Sequence, residues 1–207
     1  MDFQPLHYIF KGKGNANAKT LLLLHGTGGN EHDLVPLAKN FGSDINILSL
    51  RGNVNENGMP RFFKRLGMGI FDEKDLEFRT HEMVHFLKEI AEKESFDIAK
   101  IIALGYSNGA NIAGATLLLH PDFLAGAILY RPMQPFKNIQ NGKSKNKTPL
   151  FFSSGKDDPT VKIENTNVYL KILKENNLDV TFYEINTGHN LTQEDVDMSV
   201  AWFKKNF

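Results

Sequence analysis

The run Gly105-Tyr106-Ser107-Asn108-Gly109 stands between two segments of different periodicity. An apolar, β-rich stretch at 99–104 precedes it and a helical stretch ending at His120 follows, so this G-x-S-x-G lies where a strand turns sharply into a helix. A serine on such a turn is held in strained backbone with its hydroxyl exposed, and a Cβ at either flanking glycine would strike the neighbouring strand or helix. The helix that follows points its free amides at the spot where charge develops on an attacked carbonyl oxygen. A glycine-flanked surface turn could carry the same five residues, so the reading depends on partners elsewhere in the chain.

Serine is a poor nucleophile near neutral pH and needs a base, which in turn needs an orienting acid. Both appear downstream in the order Ser, Asp, His. Gly155-Lys156-Asp157-Asp158-Pro159 follows an apolar run at 149–153, and Gly188-His189 follows another at 180–185. Open α/β sheets assemble their sites at the carboxyl ends of strands, which is where these residues fall. Singly, the acid reads as a turn or cap and the histidine as a solvated loop residue; together, in this order, they point to covalent acyl chemistry. His25-Gly26-Thr27-Gly28-Gly29 after the run at 20–24 adds a glycine loop whose amides could approach a substrate oxygen. A nucleotide loop fails there because Glu31 stands where G-x-G-x-x-G requires glycine, and Gly142-Lys143-Ser144 fails as a P-loop because Lys137 replaces the upstream glycine.

Further out, short apolar runs at 20–24, 46–50, 99–104, 124–130, 149–153 and 180–185, with an edge strand at 8–10, alternate with helical stretches at 31–41, 73–94, 108–120, 161–175 and 192–206. In the longest helix, Leu76, Thr80, Met83, Val84, Leu87, Ile90 and Ala91 share one stripe. The pattern predicts an α/β fold, a mostly parallel central sheet with helices on both faces. Residues 51–72, with three Phe and no periodicity, are expected as a loop or a loop with short helical turns. Residues 137–147 are expected as a mobile surface loop.

With 207 residues and no internal repeat, one domain over 1–207 is expected, with no room for a large cap. Lys plus Arg equals Asp plus Glu at 24 each, which disfavours a nucleic-acid partner. No apolar run approaches the roughly 18 residues of a membrane span. Absent cysteine removes disulfides, zinc ribbons and thiol nucleophiles and, with no secretory pattern at the N-terminus, leads to the expectation of a cytoplasmic protein.

The constellation resembles the small, capless α/β-hydrolases of the phospholipase/carboxylesterase family, which includes acyl-protein thioesterases. Arg51-Gly52, Gly58-Met59-Pro60-Arg61-Phe62-Phe63 and Phe71-Asp72 look most like the bacterial carboxylesterases linked to hydroquinone resistance. The resemblance implies Ser107 as nucleophile, Asp158 as acid through its G-x-x-D spacing from Gly155, His189 as base, and the amides of Thr27 and Asn108 as oxyanion donors. It implies a small-molecule ester substrate and no cofactor or metal, and leaves a homodimer open. Thioesterase members usually carry Gln where this chain has Asn108. Met59, Phe62, Phe63 and Phe71 are candidates for the walls of a shallow substrate pocket, or else for ordinary core.

His81-Glu82-Met83-Val84-His85 matches the zinc-protease H-E-x-x-H. On a helical wheel His81, Glu82 and His85 fall opposite the apolar stripe, so they are expected to face solvent, and no third ligand is evident.

Overall fold

The computed structural model describes residues 2–15, 17–67, 69–138 and 143–207. In chain order the main strands are β1 (His7–Lys11), β2 (Thr20–Leu24) and β3 (Asn46–Arg51), then, after two small hairpins, β8 (Ile101–Tyr106), β9 (Gly126–Tyr130), β10 (Pro149–Gly155) and β11 (Asp179–Ile185). The hairpins pair β4 (Val54–Glu56) with β5 (Met59–Arg61), and β6 (Arg65–Gly67) with β7 (Ile70–Phe71). The seven main strands form one sheet in the order β1-β3-β2-β8-β9-β10-β11. Only β1 runs antiparallel to its neighbour.

All of β2 is buried, which demands cover on both faces of the sheet. Leu22 and Leu24 enter one core cluster and Leu21 and Leu23 the other, following the two-residue period of a strand. The first cluster is closed by α2 (Glu73–Glu94), α3 (Asn108–Leu119) and α4 (Ile163–Glu175). The second is closed by α1 (Val35–Ala38) and α5 (Gln193–Asn206), through Val35, Ala38, Trp202 and Phe203. The expected layering, with helices on both faces of a mostly parallel sheet, holds.

Several boundaries differ from expectation. The helix expected over 31–41 shrinks to α1 followed by a 3₁₀ turn, Lys39–Phe41. Pro36 lies in the first turn of α1 and has no N–H to extend the helix backwards, while Glu31 turns aside to pair with Arg51. β8 starts at Ile101 because Asp97 accepts from Ala99 N and caps a 3₁₀ turn at Ile98–Lys100. Residues 51–72 hold two hairpins rather than helical turns. Of the expected mobile loop, residues 139–142 lie outside the described residues, Gly142 of the rejected P-loop among them. Residues 144–146, by contrast, are fastened to Asp122, which accepts from Ser144 Oγ, Lys145 N and Asn146 N, and Ser144 is buried.

Candidate active site

Ser107 joins β8 to α3 with φ 50° and ψ −109°, outside the regions a side chain normally occupies. Its neighbours permit this turn. A Cβ on Gly109 would stand 2.0 Å from Leu24 O, and one on Gly105 would stand 2.5 Å from Gly109 O, so strand and helix meet closely only because both residues are glycine. Ser107 N donates to Tyr130 O at 2.9 Å, which fastens the turn to the end of β9.

His189 lies in the loop after β11, with Nε2 2.9 Å from Ser107 Oγ and Nδ1 2.7 Å from Asp158 Oδ2. A carboxylate only accepts, so Nδ1 carries the proton and Nε2 is free to accept from the serine hydroxyl. Asp158, beyond the end of β10, is held on its other oxygen by Thr160 N at 2.7 Å and Val161 N at 3.1 Å. Its side chain is 1% exposed against 24% for His189. Asp157 faces solvent and uses its amide on Thr187 O, so the neighbouring acid has no contact with the imidazole.

The glycine loop after β2 is built against β5. Gly28 N donates to Pro60 O at 2.9 Å, and Arg61 Nη1 donates to Thr27 Oγ1 at 2.6 Å. Phe62 N donates to Asn108 Oδ1 at 2.8 Å. One short segment, 60–62, therefore touches both candidate oxyanion residues. Asn108 is the first residue of α3, where an amide has no intrahelical acceptor. His25 is buried beneath the loop, with Nδ1–H donating to Gly26 O and Nε2 accepting from Gly52 N. Burial pushes the His25 imidazole pKa down, against the pull of the Gly26 carbonyl, which keeps it neutral in this structural role.

The four candidate wall residues separate. Phe62 and Phe63 are 2% and 0% exposed and belong to the core, Phe62 packing on His25 at 4.7 Å between ring centroids. Met59 is exposed and lies over Gly28. Phe71 lines a cavity of about 320 Å³ together with Ile70, Met133, Phe136, Val161 and Val168. That cavity adjoins the site by two routes: Val161 N binds Asp158, and Met133 N donates to Asn111 Oδ1, one helical turn beyond Ser107.

The H-E-x-x-H face is not simply solvated. Glu82 is 2% exposed, accepting from Gln4 N at 3.0 Å and Arg79 Nη1 at 2.7 Å, because the N-terminal segment folds over this side of α2. Phe3 packs there on Phe78 and His85. His81 Nδ1 meets His120 Nε2 at 2.8 Å, and no group of three metal-ligating side chains forms among the described residues.

With this geometry in hand, a family model described as phospholipase/carboxylesterase matches residues 9–205. The chain belongs to that family. Like other members of this hydrolase family, it has an α/β-hydrolase fold. MhqD of Bacillus subtilis (strain 168) is 45% identical over 193 residues, covering 93% of this chain and 96% of that one. The crystal structure of a Bacillus cereus carboxylesterase superposes with a TM-score of 0.94 at 44% identity, covering 98% and 95% of the two chains. An acyl-protein thioesterase 1 of Candida albicans is 26% identical over 216 residues, covering 92% and 93%.

Sequence reasoning passed over Arg131, Tyr106 and Asp195. Arg131 and Asp195 form a fully buried bidentate pair, and Arg131 and Tyr106 donate to the backbone around His189. The only sequence signals are a lone charge directly after an apolar strand and a Thr192-x-x-Asp195 capping pattern.

Proposed function

We propose that this family member is a serine carboxylesterase, hydrolysing small, short-chain carboxylic esters through an acyl-enzyme. The observation that carries this is the unbroken relay Ser107 Oγ, His189 Nε2, His189 Nδ1, Asp158 Oδ2, with links of 2.9 and 2.7 Å. His189 Nε2 takes the hydroxyl proton as Ser107 Oγ bonds to the ester carbonyl carbon. The amides of Thr27 and Asn108 receive the resulting oxyanion, and Asp158 stabilises the imidazolium without taking its proton. Collapse breaks the ester C–O bond, and His189 passes the proton to the departing alcohol. Water then gives a proton to His189 and its oxygen to the acyl carbon, releasing the carboxylic acid and restoring Ser107.

The cavity beside Asp158 supports a short acyl group, since about 320 Å³ lies at the small end of ligand pockets, roughly 300–1,000 Å³. Each methylene buried there contributes about 0.8 kcal/mol, and those left in water contribute almost nothing. A panel of nitrophenyl esters, with a thioester beside it, tests this reading. Expected is a kcat/KM that rises over the first few carbons, peaks between acetyl and hexanoyl, and is blunted by Phe71→Ala. A value still climbing at palmitoyl, or a thioester outrunning its matched ester, would instead assign thioesterase or lysophospholipase activity.

A further inference from the structure

We propose that Arg131, with help from Tyr106, is the positioning device that sets His189 against Ser107. The inference rests on the catalytic reading above and adds residues that lie outside the relay.

The guanidinium of Arg131 has five N–H donors, and each has its own acceptor. Nε donates to Gly188 O at 3.2 Å. Nη1 donates to Ser153 Oγ at 2.8 Å and Asp195 Oδ1 at 2.7 Å. Nη2 donates to Asn190 O at 3.1 Å and Asp195 Oδ2 at 2.7 Å. The carbonyls on either side of His189 are thus gripped by one planar group, and the carbonyl of His189 itself accepts from Tyr106 OH at 3.1 Å. Three consecutive peptide oxygens, 188 to 190, are held by side chains that project from the ends of β8 and β9.

The anchor behind this grip is rigid. Arg131 and Asp195 side chains are both 0% exposed. Asp195 also accepts from Ser153 Oγ, and its Oδ2 accepts from Thr192 N and Thr192 Oγ1, closing the capping box of α5. The loop between β11 and α5 is therefore tied at its crown and at its exit. On the backbone side, Arg131 adopts φ 53°, an uncommon conformation for a side-chain-bearing residue, and its amide donates to Ser153 O.

The preceding residue completes the link, because Tyr130 O accepts the amide of Ser107. The dipeptide Tyr130-Arg131 fastens the nucleophile with one residue and the base with the next. An ion pair that served stability alone would be satisfied by Asp195 and Ser153; the two remaining donors are spent on the peptide that carries the base. Lysine, with its donors on a single nitrogen, cannot reproduce this fork.

The test is steady-state kinetics on a short nitrophenyl ester, with circular dichroism and thermal melting as controls, for wild type, Arg131→Lys, Tyr106→Phe and Ser107→Ala. For folded Arg131→Lys, kcat is expected to fall about 10- to 100-fold with KM within about twofold, since small misplacements of a catalytic group act at this level. Its inactivation by a fluorophosphonate should slow by a similar factor, which loss of stability alone would not cause at temperatures well below the melting point. If Arg131→Lys does not fold, Tyr106→Phe, which leaves the ion pair intact, decides: kcat should fall about three- to tenfold at unchanged KM. A folded Arg131→Lys with wild-type kcat, or in its absence a Tyr106→Phe with wild-type kcat, overturns the proposal. Ser107→Ala separates the two levels: if it still turns over, the catalytic reading fails, and if it is dead while Arg131→Lys is fully active, only the positioning role fails.

Discussion

Ser107, Asp157 and Asp158 show how much a single position decides. Asp158 stands 2.7 Å from the imidazole and has its second oxygen fixed by two amides, whereas Asp157, one peptide bond earlier, points to solvent. An asparagine at 158 can present its amide NH₂ to Nδ1 and favour the wrong tautomer, for which losses of about 10⁴ in kcat are typical. Asp158→Asn should therefore lose about 10²- to 10⁴-fold in kcat, and Asp157→Asn should stay within about twofold, measured on the same ester. The glycines at 105 and 109 were legible in the sequence because their cause is local: strand, serine and helix are consecutive. Arg131 was not, since its acceptors lie 22 to 64 residues further along the chain and nothing in the local pattern announces them.

Between α2 and α3, the His81 and His120 rings meet edge to face at 4.8 Å, joined by the contact of their ring nitrogens. Burial, then the charges of His81 and Lys88, push the His120 pKa down from 6.5 to about 4. Between those values the unfolded chain binds a proton that the native chain refuses. This contribution to stability is therefore complete above about pH 6.5 and is lost as pH falls towards about 4. His25, also lowered by burial, acts in the same direction, so the informative quantity is a difference between variants. Allowing for the partial exposure of His120, about 1 kcal/mol is at stake, or some 2–4 °C. Thermal melting of His120→Gln should show a shallower fall between pH 6.5 and 4 than wild type, by about that amount; parallel curves would contradict the assignment. Sequence periodicity located α2 to the residue, yet it misjudged Glu82, because a wheel cannot show that residues 2–6 lie across the polar face. The hairpins at 54–71 escaped for a related reason. Their strands are two or three residues long, too short to display a period, and are stabilised by contacts with the glycine loop and the core.

Across the whole molecule, loops at the carboxyl ends of β8, β10 and β11 bring Ser107, Asp158 and His189 into contact, and the loop after β2 is joined to them through Arg61 and Phe62, which bind Thr27 and Asn108. Parallel strands point the same way, so residues scattered over 160 positions converge once the sheet order is set. That order was not readable from the sequence, which yields strands but no pairing; the alternation of strand and helix, and the burial of both sheet faces, were. What holds the assembly is distributed: β5 supports the glycine loop at Thr27, Tyr130-Arg131 the turn of Ser107 and the loop of His189, and the amides of Thr160 and Val161 the Asp158 carboxylate. The proposed chemistry depends most on Ser107 Oγ being the atom that bonds to substrate. The decisive measurement is kcat of Ser107→Ala on a short-chain nitrophenyl ester, with circular dichroism confirming the fold. We expect a loss of at least about 10³-fold with the spectrum unchanged. Turnover within about tenfold of wild type would contradict a covalent role for Ser107.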